Sequence, residues 1–249
     1  VGLALSFDAL AAISDHSASL ADAAAGGLAA PVEHCPGWNV ADLVRHVAEV
    51  HWFWGTIVDE RLKAPPEESR RPAAAADDEL ISSFRAGAER LVSILGAADP
   101  GDQVWTWAPA QQDVAFVIRH QVQEAVVHHF DAAKATGREF SVAPEVASDA
   151  VDEFLHFSVS SEADPADPPR PALAGSFSIQ AIDTGATWLV QDGSSPGTVS
   201  VQPAPRGAPP GLAATASALL LFLYERLDVD TGPVDGQLLA RFRGLCFTD

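Results

Sequence analysis

Positive charge is scarce in this sequence. Lysine and arginine total 15 against 34 aspartates and glutamates, a formal net charge of −19 over 249 residues. Only Lys63 and Lys134 are lysines. So acidic a surface repels phosphate backbones and anionic lipid, which excludes nucleic acid and membrane surfaces as expected partners. Cysteine is scarce as well. Cys35 and Cys246 stand far apart, so there is neither a disulfide framework nor a C-x-x-C metal knuckle. The longest apolar run, Leu212 to Leu223, is too short to cross a hydrocarbon core of about 30 Å at about 1.5 Å per residue. No basic residue precedes Arg45, so no secretory start is read and a cytoplasmic location is expected. Nucleophile elbows, phosphate-cradling glycine loops, His-Glu-x-x-His and dinucleotide fingerprints are all missing.

What is present suffices for a core. Hydrophobic residues make up 47% of the chain and charged residues 20%, and the length suits one large domain or two modest ones. Phe7, Leu10, Ile13 and Leu20 recur at near-helical spacing from Phe7 to Ala25, ahead of Gly26-Gly27. Asn39 followed by Asp42 forms a capping box that opens a helix at Val40, running past Trp54 towards Arg61. Lys63 to Ala76, with Pro65, Pro66 and Pro72, reads as a loop. Further helices are expected over Asp77 to Leu95, Asp113 to Thr136 and Pro144 to about Ser160. The acidic, proline-rich stretch 161–172 reads as a linker. Strands are expected at 177–182, 187–191 and 198–201, then helices at Leu212 to Arg226 and Gln237 to Phe242. The domain reading is therefore a helical part over 1–160, a linker over 161–172 and a small α/β part over 173–249.

Two helices carry candidate chemistry. Glu124 and His128 are four apart and share a face, with His120 one turn back and His129 beside them. A carboxylate and an imidazole so spaced suit a divalent metal such as zinc, but equally form a solvated polar face. His46 lies beside the apolar residues Leu43, Val47 and Val50, as a core histidine or as an inward-facing ligand. His51, five residues on, points elsewhere and does not share a metal with His46. Cys35 is either a reactive thiol or a small buried residue before the Pro36-Gly37 turn. Trp52, Phe53 and Trp54 read as core and pocket wall.

Three segments are more specific than their chemistry. His34-Cys35-Pro36-Gly37-Trp38-Asn39-Val40-Ala41-Asp42-Leu43-Val44-Arg45-His46 resembles the N-terminal motif of the mycothiol-dependent maleylpyruvate isomerase family, a branch of the DinB-like metalloproteins. Glu124 to Ala132, with His128, Phe130 and Asp131, is similar to the motif that closes the family's bundle. Thr215 to Arg226, preceded by Asp183-Thr184-Gly185 and Trp188, is similar to its C-terminal signature. The resemblance implies an α+β fold, a DinB-like four-helix bundle followed by a small α/β domain. It implies a divalent metal, usually zinc, held by His46, Glu124 and His128, with coordination positions left open as in a catalytic site. It implies mycothiol as cofactor, the small thiol that actinobacteria use in place of glutathione. In the isomerase reaction the thiolate adds to the double bond of maleylpyruvate. Rotation and loss of the thiol then give fumarylpyruvate.

The resemblance also makes Arg226 the match for an arginine implicated in catalysis. Its guanidinium would suit a substrate carboxylate, or else only cap a helix C-terminus. Glu225 stands where the family often has glycine, and Ala218 where it often has aspartate. The expected function is a metal- and mycothiol-dependent isomerase or thiol transferase acting on a small electrophile. The alternatives are a metal-dependent hydrolase and a non-catalytic metal- or thiol-binding protein.

Overall fold

The computed structural model describes residues 5–159, 170–195, 197–209 and 211–247. The chain forms two compact units, Val1–Val142 and Ala143–Asp249. Helices and a sheet occupy separate stretches of chain, an α+β arrangement.

The first unit is a bundle of α1 (Ala9–Ala24), α2 (Val40–Asp59), α3 (Leu80–Ala97) and α4 (Val114–Thr136). α1 packs mainly on α3 and α4, and α2 mainly on α3 and α4, with a smaller contact between α1 and α2. Leu20, Leu43, Val44, Val47, Leu80 and Phe84 fill one core between them. The loop over 63–76 contains one short 3-10 turn, Glu68–Arg70. The helix expected from Asp77 begins instead at Leu80, because residues 77–79 form a turn and Asp77 pairs with Arg45.

The starts of α2 and α4 are fixed in the same way. Asn39 and Asp42 form the reciprocal capping box, and the Asn39 side chain accepts from the Asp42 N–H at 3.0 Å. Asp113 accepts from the Phe116 N–H at 3.0 Å. A single β-bridge precedes each helix, Pro31 with Asn39 and Gln103 with Asp113. The Val40 and Ala41 N–H groups then donate to Ala30 and Leu28, and those of Val114 and Ala115 to Asp102 and Pro100. The orphan donors of both helix starts are thereby satisfied and the helix ends are held. α4 stops at Gly137, whose φ of 66° is the left-handed conformation that glycine adopts freely.

The second unit holds α5 (Pro144–Phe157), β1 (Ser176–Ala181), β2 (Thr187–Asp192), β3 (Val199–Pro203), β4 (Leu212–Ala214), α6 (Ala216–Leu223) and α7 (Gly236–Arg243). The sheet order is β3-β2-β1-β4, with β1 parallel to β4 and the other pairs antiparallel. α5 packs on α6, where the Phe154 and Tyr224 rings meet at 5.0 Å. The division between the units thus falls before α5, whereas composition places it at the linker 161–172. Of that linker only residues 170–172 are among those described.

One expected helix is corrected. Leu212 to Ala214 is a strand, with Leu212 in register with Ile179. Gly211 leads into it, and a Cβ there would fall 1.6 Å from the Ser178 carbonyl oxygen. The helix starts only at Ala216, where Thr215 caps it by accepting from the Ala218 N–H. The apolar run Leu212 to Leu223 hides this break.

Candidate metal centre

α2 supplies His46 and α4 supplies Glu124 and His128. One ligand atom from each lies within 4.8 Å of the others. His128 Nε2 stands 3.5 Å from Glu124 Oε2. Two donors of one tetrahedral zinc ion stand about 3.4 Å apart, so this pair already has the needed separation. The His46 and His128 rings approach edge to face, with centroids 5.1 Å apart. Glu124 and His128 are buried and His46 is partly so. The solvated polar face that the spacing alone allowed is not formed.

Asp131 stands behind His128. It is fully buried, and its Oδ2 is 3.2 Å from His128 Nδ1. A carboxylate that accepts from Nδ1–H fixes the tautomer and turns Nε2 towards the other donors. Burial alone would lower the His128 pKa. The hydrogen bonds to Asp131 and Glu124 and their charges outweigh it, so the metal-free imidazole is lifted to about 9. Two imidazoles, a carboxylate and a buried carboxylate behind one imidazole form a donor set that fits a divalent cation. Cys35 Sγ lies 4.0 Å from the same Asp131 oxygen. Cys35 is half-buried and packs on the bundle core.

The remaining histidines go elsewhere. His120 sits among aromatic rings, stacked on Phe116 at 5.6 Å and edge-on to Trp107 at 5.4 Å and Trp54 at 5.7 Å. His129 meets His16 of α1, Nδ1 to Nδ1 at 3.0 Å. Burial, and then His16, lower the His129 pKa to about 4. His51 is buried against Phe84, and burial lowers it to about 4 despite the nearby Glu124. Sequence reasoning gave Asp131 no role and passed over His16. The three-residue step from His128 to Asp131 on a helix was the available signal for the first. His16 lies 113 residues from its partner, and no local pattern reveals it.

Arg226 follows α6 in the second unit. Its Nη1 donates to the Tyr224 carbonyl at 2.7 Å, and its guanidinium lies 5.8 Å from the Tyr224 ring centre. The capping contact that the sequence allowed is therefore formed.

Residues 9–133 match the model of the mycothiol maleylpyruvate isomerase N-terminal domain. The chain belongs to that family. The match spans α1 to most of α4 and includes His46, Glu124, His128 and Asp131. The fold also resembles a crystal structure of mycothiol-dependent maleylpyruvate isomerase, with a TM-score of 0.58 at 10% identity over 90% of each chain. A histidine-to-alanine mutant of such an enzyme gives 0.54 at 9% identity over 86% of each chain. No curated protein matches the sequence.

Proposed function

We propose that this family member is a metal- and mycothiol-dependent enzyme, an isomerase or thiol transferase acting on a small electrophile of the maleylpyruvate type. The observation that carries this reading is the convergence of His46, Glu124 and His128, with Asp131 behind His128. These three residues would hold one divalent ion, zinc by the donor set. When bound, the ion supplies a lowered pKa for a coordinated thiol and so favours the nucleophilic form.

The chain's own residues prepare for that. Asp131 holds the His128 ring, and His128 gives up the proton it carries in the metal-free site. His46 and Glu124 come from two helices whose starts are fixed by caps and bridges, so the helices that carry the donors are held at their ends. Arg226, whose planar guanidinium suits a carboxylate, would bind that group of the substrate. Among the described residues no helix is long and apolar enough to cross a membrane. The work is proposed to occur in the cytoplasm, where such a thiol is kept.

The test has two arms. Bound metal is measured by mass spectrometry in the parent protein and in His128→Ala. Consumption of maleylpyruvate is followed with and without mycothiol, and again in Arg226→Ala. The expected results are loss of metal in the first variant, turnover only with thiol, and reduced turnover in the second. Full metal retention by His128→Ala would overturn the ligand set. Thiol-independent hydrolysis, or thiol binding without turnover of any electrophile, would overturn the isomerase or transferase reading.

A further inference from the structure

Within the first unit, α2 and α3 face one another across a cavity of about 420 Å³, a size that suits a small organic molecule. His46, Glu124 and His128 are not among its lining residues. Trp52, Phe84, Leu91 and Ile94 give it apolar walls. His51 lines it too, 4% exposed and stacked on Phe84 with ring centroids 5.3 Å apart. His51 Nδ1 is buried and has no hydrogen-bond partner. A buried polar nitrogen left unpaired is costly, so its place at this wall is not one that packing alone favours.

Two helical glycines make the room. Gly55 on α2 and Gly87 on α3 both line the cavity. A Cβ at Gly87 would meet nothing within 4 Å, and one at Gly55 would make only ordinary contacts with Ile94 at 3.6 Å and Leu91 at 3.7 Å. Neither position demands glycine for steric reasons, yet glycine is the poorest helix former after proline. Helix stability is given up where the space is kept.

The charge at the cavity is also uneven. Glu49 and Glu60 line it but are engaged by Arg71 and Arg70. Arg45 pairs with Asp42 and Asp77. Among the described residues Arg90 has one long ion pair, 3.5 Å to Asp59, and its side chain is 75% exposed. A ligand anion can take that guanidinium without breaking a strong pair.

We propose that this cavity is a second binding site, for a small aromatic carboxylate. The ring lies among Trp52, Phe84, Leu91 and Ile94 beside the His51 imidazole, and the carboxylate meets Arg90. The site does not depend on metal or thiol, so it stands or falls separately from the catalytic reading.

Isothermal titration of the full-length, metal-loaded protein with 3-(4-hydroxyphenyl)propionate tests it, with the corresponding amide as neutral control. Expected are one saturable site per chain, loss of most of that binding in Gly87→Leu, and unchanged metal content in both variants. Arg90→Gln should weaken the carboxylate by about fivefold, as befits an exposed ion pair, and leave the amide essentially unaffected. No saturable binding to the parent protein would overturn the proposal, as would undiminished binding to Gly87→Leu or equal weakening of acid and amide by Arg90→Gln. Arg90 is largely exposed, so its replacement leaves the fold intact and that arm decides even where Gly87→Leu does not fold.

Discussion

Asp131 shows how much a single buried side chain can settle. Its oxygen lies 3.2 Å from His128 Nδ1, and its carboxylate is sealed from solvent. Remove it and the His128 ring is free to turn, with one raising influence on its pKa lost. Such partners of metal-binding histidines typically matter by about 10–100-fold in metal affinity. Asp131→Ala should therefore weaken zinc binding by about that factor. A divalent ion bound as proposed would have to displace the proton that His128, lifted to about 9 by Asp131 and Glu124, carries in the metal-free state. Titrations at pH 7 in two buffers of different ionisation enthalpy should thus show proton release by the parent and less by the variant. Equal affinity and equal release would deny Asp131 this role.

Among the elements, the end of α6 holds a residue in a costly backbone conformation. Glu225, just past the Tyr224 C-cap, has a φ of 60°. That left-handed conformation is easy for glycine and costly for a residue with a Cβ. Its ion pair with Arg243, at 3.9 Å and largely exposed, contributes little in return. Glu225→Gly should raise stability by about 0.5–1 kcal/mol in urea denaturation, whereas Glu225→Ala should not. The same stretch explains the misread helix start. An apolar run of twelve residues satisfies either a helix or a buried strand, and only pairing with β1 distinguishes them.

Over the whole molecule, buried histidines set the response to acid. His16, His51 and His129 are all held below the usual histidine range, mainly by burial, the last two at about 4. The unfolded chain takes up these protons near pH 6.5, while the folded chain takes them up only at lower pH, about 4 for His51 and His129. Stability from these groups is thus complete above pH 6.5 and is lost as the pH falls towards 4. For His51 alone the loss is on the order of 3 kcal/mol. His128 acts in the opposite sense in metal-free protein, its contribution being present below pH 6.5 and lost as the pH rises through about 9. Urea midpoints of metal-free protein should fall between pH 6.5 and 4, and less steeply in His51→Leu. An identical slope in the variant would refute the assignment.

The sequence by itself determined the helices of the bundle, the caps at Asn39 and Gly137, and the pairing of Glu124 with His128 on one helical face. Those features depend on neighbours within a turn or two, and local chemistry decides them. It also carried the motifs by which the family is recognised. Only the tertiary structure decided which histidines are buried and with whom. His46 reaches His128 across 82 residues, His129 meets His16 across 113, and His120 disappears among aromatic rings. The edge strand β4 and the attachment of α5 to α6 belong to the same class. In each case the deciding energy is burial and pairing between segments far apart in sequence, which no local pattern encodes.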